Sequence, residues 1–424
     1  MPLDNAAVSE LRAEFPALQQ TVGGRPLIFF DGPGGTQVHG SVIDAMGRYL
    51  TEANSNAHGA FLYSRRTDET VDQARAAMAD FLNAPSPNEI IFGPSMTNLT
   101  FNISRAMVEQ LHPGDEIIVT RLDHDANISP WLSLQPRGIK VNFIDVDVED
   151  CTLNMDHFHT LLSPKTKLVA AGYAANAVGT INPVQEMAAA AHEVGAKMWV
   201  DAVHYAPHGP IDVQAIDCDF LVCSVYKFYG PHMGVAWGRY DLLDALPAFK
   251  LRPADNNPPH KFELGTGNFE AMAGTTAAIN YLAGVGDQFG ASFESQWQAA
   301  GFSGRRLALK KAMSAIEAYE KRLFVRLLEG LSEIDGVRIY GITDPTQFSQ
   351  RTPTAAFTKA GVPTAEIGKA LGDNNIFTWD GHYYAIEVVQ RLGLYDSGGM
   401  LRVGISHYNV PDDIERLLDV VRAI

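Results

Sequence analysis

Between about residues 88 and 240, short β-branched apolar segments alternate with segments of helical character. In one-letter code the apolar segments are EIIF, DEIIVT, KVNFIDV, KLVAAGY, KMWVDAV and FLVCSV. This alternation is typical of parallel strands joined by helical crossovers. It predicts an α/β fold with a large, mainly parallel sheet between helices.

One interleaved segment carries a full set of helix signals. Asn182 is the predicted N-cap, Pro183 takes the first position, Gln185 takes the capping-box position and Gly195 lies past the end. Apolar residues recur in it at spacings of three and four, which predicts a helix face that packs on the sheet.

Composition changes after about residue 285. A helical stretch rich in Ala, Leu, Lys and Arg runs from about residue 304 to 334, and strand-like segments VRIYG, TAAFTK and MLRVGIS precede a final helix from Pro411. We therefore predict a large domain over residues 18–285 and a small α+β carboxy-terminal domain over residues 286–424. Residues 1–17 are expected to pack with the small domain.

The charge balance and the cysteine pattern exclude several classes of function. Lys and Arg number 33 against 49 Asp and Glu, so the net charge of −16 disfavours binding to nucleic acid or to an anionic membrane. Cys151, Cys218 and Cys223 form no CxxC pair, and no HExxH or EF-hand pattern occurs, so no metal site is expected. Without a signal peptide or an apolar run of ~20 residues, we expect a cytoplasmic protein.

The most informative window spans residues 200–238. Asp201 ends an apolar strand, and Lys227 follows another strand and precedes a turn of Gly, Pro and His. The carboxyl ends of parallel strands are where ligands bind in such sheets, although either residue alone would also suit a protein surface. The run Asp31–Gly35 lacks the GxGxxG spacing and does not predict a dinucleotide loop.

This window resembles the fold-type I pyridoxal phosphate enzymes, specifically the class V aminotransferase family that includes cysteine desulfurases and selenocysteine lyase. The resemblance covers most of the chain. It implies that the large domain binds pyridoxal 5'-phosphate, with Lys227 as the Schiff-base lysine and Asp201 as the partner of the pyridine nitrogen. Ser224 takes a phosphate position, and Tyr226 stands where the family often has histidine.

Three further segments match the family in order. GPSMTNLTFN resembles the loop that opens a helix at the phosphate, which implicates Ser95, Met96 and Thr97. RLDHDANISPW resembles the run whose histidine stacks on the pyridine ring, which is His124 here. NAVGTINP resembles the run whose asparagine lies near the phenolic oxygen and the substrate, which is Asn176.

Two more matches complete the implied cofactor site. Val203 stands beneath the ring, where the family usually has alanine, and His204 stands beside the phenolic oxygen. FELGTGN resembles the loop that delivers a threonine to the phosphate of the neighbouring subunit. The resemblance therefore implies a homodimer in which Thr266 reaches the partner's cofactor.

The implied substrate is a small amino acid. MLRVGISHYN resembles the strand with the carboxylate-binding arginine, which makes Arg402 the candidate because guanidinium offers a bidentate fork. His58, in NAHGA, is a further substrate-binding candidate. Arg65 and Arg66 either approach the substrate side chain as well or cap a surface helix.

The segment TWDGHYYAIE departs from the desulfurase pattern. Desulfurases of this branch carry a persulfide-forming cysteine in a Gly-His-His-Cys-Ala-like run, and Tyr384 takes its place here. Trp379 and Asp380 replace an arginine before that run. Cys218 and Cys223 are predicted to be buried. Persulfide formation is therefore disfavoured, and Tyr384 is a substrate-binding candidate.

The resemblance implies that an amino acid displaces Lys227 to form an external aldimine, after which the freed lysine acts as base at Cα, with His124 and Asp201 as further catalytic residues. We favour Cβ cleavage, either β-elimination such as carbon–sulfur lysis or β-decarboxylation. Transfer of the amino group to a keto acid is the main alternative. Racemisation, and a catalytically silent binding protein with this fold, also stay open.

Overall fold

The computed structural model describes residues 2–424 and contains a seven-stranded sheet, a four-stranded sheet and two small strand pairs. In chain order, the strands are β1 (Thr21–Val22), β2 (Arg25–Pro26), β3 (Ile28–Phe29), β4 (Ile90–Gly93), β5 (Glu116–Thr120), β6 (Lys140–Ile144), β7 (Thr166–Gly172), β8 (Lys197–Asp201), β9 (Phe220–Ser224), β10 (Gly234–Gly238), β11 (Val337–Tyr340), β12 (Thr354–Lys359), β13 (Ile376–Phe377), β14 (Trp379–Gly381) and β15 (Met400–Gly404).

The helices connect and cover these strands. In chain order they are α1 (Asn5–Ala13), α2 (Gly40–Glu52), α3 (Leu62–Leu82), α4 (Met96–Val108), α5 (Ser129–Leu132), α6 (Met155–Leu161), α7 (Val184–Glu193), α8 (Val213–Ile216), α9 (Tyr240–Ala245), α10 (Phe269–Phe289), α11 (Glu294–Ala299), α12 (Gly304–Ser332), α13 (Thr364–Asp373), α14 (Ile386–Arg391) and α15 (Pro411–Ala423). Within residues 2–424, none of the helices combines the length and the apolarity needed to cross a membrane.

The large sheet has the strand order β4-β10-β9-β8-β7-β5-β6. Strands β5 to β9 pair in parallel, whereas β10 runs antiparallel to both β9 and β4. Six strands therefore point in one direction, and β10 alone in this sheet is reversed. The predicted α/β class with a mainly parallel sheet is confirmed.

Both faces of the large sheet are covered by apolar side chains. Because neighbouring strand residues point to opposite faces, Trp199 packs with Trp131 and Leu99 on one side. Val200 packs with Met187 of α7 on the other side. Residues buried on both faces explain why the strand segments read as continuous apolar runs.

Helix α7 begins one residue later than the sequence signals predict. Asn182 does not cap it, because its side-chain amide donates to the carbonyl of Gly172 at 2.7 Å. Pro183 is the N-cap residue instead, and Gly195 adopts a φ of +77° just past the helix end, as predicted. The asparagine amide therefore joins the helix entry to the end of β7.

The second sheet is antiparallel, with the order β11-β12-β15-β14. The amino-terminal segment packs near it, since Arg12 donates from Nη1 to Oδ2 of Asp413 in α15 at 2.7 Å and β3 pairs in parallel with β13. The division into domains at residue 285 stays a prediction.

Candidate active site

A cavity of about 480 Å³ opens where strands β7, β8 and β9 of the large sheet end, facing β14 and β15 of the small sheet. It brings together the predicted residues Ser95, Met96, Thr97, His124, Asn176, Asp201, Val203, His204, Ser224, Tyr226, Lys227, Tyr384 and Arg402. These come from seven separate segments of the chain. Their convergence is what the carboxyl-end rule for parallel sheets predicts.

Lys227 ends a short 3₁₀ turn that begins directly after β9. Its side chain is buried, and its Nζ donates to the carbonyl of Pro33 and lies 4.9 Å from the centre of the Tyr226 ring. Burial and the charge of Arg402 lower the pKa of Lys227 to about 7, against the opposing effects of Asp31 and Asp201. A large fraction of this amine is therefore neutral at physiological pH.

Two buried carboxyl groups line the cavity: Asp201 ends β8, and Asp123 follows β5 and bonds to the end of β7. Asp201 accepts from the amide of Val203 at 2.9 Å, and burial raises its pKa to about 6. Asp123 accepts from the amide of Gly172 at 2.6 Å, and burial and the nearby charge of Asp201 raise its pKa to about 8. Asp123 also accepts from the side chain of Asn127 at 3.0 Å. Of the two groups, Asp201 therefore loses its proton at the lower pH.

Gly172 is required for this arrangement. A Cβ at position 172 would lie 2.5 Å from Oδ1 of Asp123. Any side chain here would therefore displace the carboxyl group from the backbone amide to which it is bonded.

His124 forms part of the cavity wall and stacks on Tyr384, with ring centroids 5.4 Å apart and an interplanar angle of 27°. Its Nδ1 accepts from the amide of Ala126 at 3.0 Å, which fixes the ring at the start of a 3₁₀ turn. Burial and the charges of Lys227 and Arg402 lower the pKa of His124 to about 4. The imidazole is therefore neutral, with its proton on Nε2.

Arg402 lies buried in β15 and lines the cavity. One Nη donates to the carbonyl of Asn176 at 3.0 Å, and the other lies 3.7 Å from Oδ1 of Asp31. The guanidinium also lies over the Tyr383 ring, with Cζ 4.4 Å from its centre. Burial lowers the pKa of Arg402. The Nε of Arg402 has no hydrogen-bond partner in the protein, so the guanidinium can still donate a hydrogen bond to a ligand.

The segment from Trp379 to Tyr384 forms the mouth of the cavity. It is held at three points: the Trp379 indole donates to Asp31 at 2.7 Å, the side chain of Asn176 donates to the Tyr383 carbonyl at 2.9 Å, and the Tyr384 carbonyl accepts from the Asp125 amide at 2.7 Å. Tyr383 and Tyr384 both have left-handed backbone, with φ of +52° and +58°. Two such residues in a row are costly for side chains of this size, so the contacts fix an aromatic wall in place.

Helix α4 directs its amino-terminal end at the cavity. Ser95 is its N-cap and accepts from the Asn98 amide at 3.1 Å, and Met96 and Thr97 begin the first turn. Gly234 of β10 packs so closely here that a Cβ would lie 2.1 Å from the Ser95 carbonyl carbon. The free amides of a helix start and its dipole suit an anion.

Two predicted residues lie elsewhere. Thr266 and His58 are exposed and line a second, larger cavity of about 1180 Å³. Arg65 donates to the carbonyl of Ala60 and Arg66 to that of Glu52, each at 2.6 Å. Neither arginine lines the cavity of about 480 Å³, which is called the catalytic cavity below.

Sequence reasoning missed Asp123 and Asp31. Asp123 is the neighbour of a nominated histidine, and its position at the end of an apolar segment was the available signal. Asp31 lies in the DGPGG turn, far from Arg402 in the sequence, and the two side chains come close only in the folded protein. No local pattern links those two positions.

Comparison with known proteins agrees with this geometry. The family model for Aminotransferase class-V matches residues 28–300 and 299–417. A probable cysteine desulfurase of Synechocystis is 31% identical, with 97% of this chain and 94% of that protein covered. A probable cysteine desulfurase of Mycolicibacterium paratuberculosis is 34% identical over 98% of this chain, which spans 58% of the length of that relative.

Solved structures give the same result for the fold. A cysteine desulfurase from Escherichia coli superposes with a TM-score of 0.81 at 25% identity, with 98% of each chain covered. A cysteine desulfurase from Thermococcus onnurineus superposes with a TM-score of 0.85 at 24% identity, over 98% of this chain and 97% of the other.

Fold and comparisons together define a pyridoxal phosphate-dependent enzyme of fold-type I. The chain belongs to the class V aminotransferase family.

The residues of the cavity fit the family's cofactor. Buried polar atoms without a protein partner include Oδ1 of Asn176 and Nδ1 of His204, and both side chains line the cavity. Buried polar atoms are costly unless they are paired, so both atoms favour a polar ligand. A buried amine of low pKa, a carboxylate, a neutral imidazole and a helix start complement an aldehyde, a pyridine ring and a phosphate.

Proposed function

We propose that this protein is an enzyme that cleaves a bond at Cβ of an amino acid, by β-elimination or a related Cβ reaction. The observation that carries the proposal is the convergence of Lys227, Asp201 and Arg402 in one cavity. A neutral amine, a carboxylate that would keep the pyridine nitrogen protonated and a guanidinium that anchors the substrate carboxylate are what Cα deprotonation of an amino acid requires.

When bound, the cofactor supplies an electron sink for the Cα–H bond. Lys227 is the base in this proposal, because its low pKa leaves the amine able to take a proton near pH 7. Asp201 would hold the pyridine nitrogen of the cofactor, and His124 would lie against the ring, which suits its neutral state. Arg402 holds the substrate carboxylate, with Asn176 fixing the guanidinium.

The remaining wall residues hold the cofactor. The phosphate is assigned to the helix start at Ser95, Met96 and Thr97, together with Ser224 and Tyr226. The phenolic oxygen is assigned to Asn176 and His204, each of which has a buried polar atom without a hydrogen-bond partner, and Val203 would contact the ring.

The cysteines favour elimination without a protein persulfide. Cys151, Cys218 and Cys223 are buried, and none of them lines the catalytic cavity. Burial raises the pKa of the Cys151 thiol to about 11 and also raises the pKa of the Cys218 and Cys223 thiols. A buried thiol of raised pKa is a poor nucleophile. The similarity to cysteine desulfurases nonetheless supports a cysteine-like substrate.

The function is tested by incubating the holoenzyme with a panel of amino acids, with and without an added keto acid. We expect pyruvate and ammonia from a substrate with a Cβ leaving group, and sulfide from cysteine, in the absence of a keto acid. Product formation only when a keto acid is present would instead establish amino transfer. A stable cofactor absorbance that no amino acid perturbs would establish a silent binding protein.

Replacing Arg402 with alanine should weaken substrate binding about ten- to a hundredfold, since charge-assisted hydrogen bonds contribute about 1.5 to 3 kcal/mol. Cofactor affinity should change much less. Substrate titration and cofactor dialysis measure the two constants. Arg391→Ala, which removes an exposed arginine bonded to Asp145, is the matched control. A larger loss of cofactor affinity than of substrate affinity would remove Arg402 from the substrate site.

The uptake of pyridoxal phosphate by the apoprotein should depend on pH through Lys227. Only the neutral amine can attack an aldehyde, so the uptake rate should rise as the pH passes through about 7 and level off above it. Stopped-flow absorbance between pH 5.5 and 10 would follow this rise. In Arg402→Ala the midpoint should move to higher pH, because a neighbouring positive charge is lost. A rate that keeps rising towards pH 10 would contradict the lowered pKa of Lys227.

We propose further that the protein is a homodimer in which Thr266 reaches the partner's cofactor. Thr266 lies outside the catalytic cavity of its own chain, and Leu264, two residues before it, leaves 58% of its surface exposed. This exposed segment is free to contact a second subunit. Sedimentation should show a dimer, and Thr266→Ala should weaken cofactor binding about tenfold. Thr160→Ala, on an exposed helix, is the control. A monomer with unchanged cofactor affinity would contradict this assignment.

A further inference from the structure

We propose that Asp123 is a positioning residue that holds in place the two groups assigned to the pyridine ring, Asp201 and His124. This inference rests on the proposed function and adds a residue to its site. Asp123 leaves 3% of its surface exposed and lies directly before His124 in the chain. Both oxygens of its side chain accept hydrogen bonds from other parts of the protein.

The first contact of Asp123 is with the end of β7. Strand β5, which pairs in parallel with β7, ends at Thr120. Beyond that point, Oδ1 of Asp123 accepts from the amide of Gly172, the last residue of β7, at 2.6 Å. The side chain therefore supplies the acceptor that a carbonyl of the neighbouring strand supplies within a ladder.

The end of β7 in turn holds the backbone of Asp201. Gly172 and Asp201 are register partners in the parallel strands β7 and β8. The next residue, Tyr173, donates from its amide to the Asp201 carbonyl at 2.7 Å. Two successive amides thus bond to Asp123 and to Asp201. Loss of the Asp123 carboxyl group would therefore loosen the strand end that carries the Asp201 side chain.

The second contact of Asp123 is with the segment that carries His124. Oδ2 of Asp123 accepts from Nδ2 of Asn127 at 3.0 Å, and Asn127 ends the 3₁₀ turn that His124 caps. The His124 ring accepts from the Ala126 amide of the same turn at 3.0 Å. One carboxyl group therefore joins this turn to the end of β7.

These contacts lie at the wall of the catalytic cavity, which is lined by Asp123, His124, Gly172 and Asp201. Misplacing a group by about 1 Å can slow a reaction about a hundredfold. Substrate affinity is assigned to Arg402 in the proposed function. We therefore expect Asp123 to affect the rate of Cα proton removal much more than the binding of the amino acid.

The test measures loss of Cα deuterium by nuclear magnetic resonance, and substrate affinity by cofactor absorbance, for the holoenzyme with a panel of amino acids that includes alanine and cysteine. Asp123→Ala should slow the exchange about ten- to a hundredfold and leave substrate affinity nearly unchanged. Asp123→Asn keeps an oxygen for the Gly172 amide, and the Asn127 side chain has a buried Oδ1 without a partner that can turn to accept from the new amide. This variant should restore most of the exchange rate.

Asp219→Ala is the matched control. Asp219 is also buried and accepts from the Met198 amide near the start of β8 at 2.8 Å, but it does not line the cavity. Its loss should lower thermal stability and leave the exchange rate of the folded enzyme unchanged. Wild-type exchange in Asp123→Ala, or exchange in Asp123→Asn as slow as in Asp123→Ala, would overturn the inference and leave the proposed function intact. A wild-type enzyme that exchanges none of a full amino-acid panel would overturn both.

Gly172→Ala tests the same geometry with the carboxyl group retained. A Cβ at position 172 would lie 2.5 Å from Oδ1 of Asp123, so the substitution displaces the carboxyl group from the amide. The exchange should slow as it does in Asp123→Ala, whereas an unchanged rate would overturn the inference. This variant decides the question if Asp123→Ala does not fold.

Discussion

Lys227→Ala is expected to abolish covalent retention of pyridoxal phosphate and to lower Cα proton removal by about 10²- to 10⁴-fold or more. The reason is that the proposed function uses one buried amine of lowered pKa as both the covalent link and the base. Reduction of the wild-type holoenzyme with borohydride, followed by peptide mapping, should place the label on Lys227. The variant should carry no covalent label.

Lys310 provides a stringent control inside the same molecule. It is also buried, and burial lowers its pKa to about 8, but it lies beside Trp297 and Phe302 and does not line the catalytic cavity. A low pKa alone would label it as well, whereas a specific site leaves it unlabelled. A Lys227→Ala variant that keeps the absorbance of covalently bound cofactor would show that the lysine assignment is wrong.

Asp201→Ala is expected to slow Cα hydrogen exchange about tenfold to more than a hundredfold while the fold is retained. In the proposed site, the Asp201 carboxylate would make a charge-assisted hydrogen bond with the pyridine nitrogen, and such bonds contribute about 1.5 to 3 kcal/mol. Loss of substrate Cα deuterium, followed by nuclear magnetic resonance, measures the exchange rate. Thermal melting of the apoprotein reports on folding.

Asp219→Ala is the matched control for this variant. Asp219 is a buried carboxylate just before β9, where it accepts from the Met198 amide at 2.8 Å and does not line the cavity. Its removal should lower thermal stability and leave the exchange rate of the folded enzyme unchanged. An unchanged exchange rate in Asp201→Ala would contradict the assigned role of Asp201.

Much of the fold was predictable because the strands are buried on both faces. Each apolar segment named from the sequence contains a strand, from Ile90–Gly93 to Phe220–Ser224. Strand β10 was not named, since GVAWG is short, begins and ends with glycine, and lies after the turn that follows Lys227. The start of α7 was misplaced because Asn182 bonds to Gly172, a tertiary contact that local capping rules do not contain.

The candidate site was predictable in part for a similar reason. Residues at strand ends and helix starts, such as Asp201 and Ser95, are marked by the local pattern that precedes them. Asp31 and Asp123 act through contacts with Arg402 and Gly172, and such contacts exist only after the sheets have assembled. The assignments of Thr266 and His58 depend on a second subunit or on a substrate pose, so they stay predictions.

The lining of the catalytic cavity is drawn from both ends of the chain: Pro33 and Gly34 come from the amino-terminal segment and Arg402 comes from β15. While the last strands are still inside the ribosome, the nascent chain therefore lacks a complete binding site for pyridoxal phosphate. We expect loading to follow release from the ribosome, and chains stalled before residue 400 should retain none of the coenzyme on a sizing column. The timing of activation would then be set by synthesis of the final strands rather than by coenzyme supply.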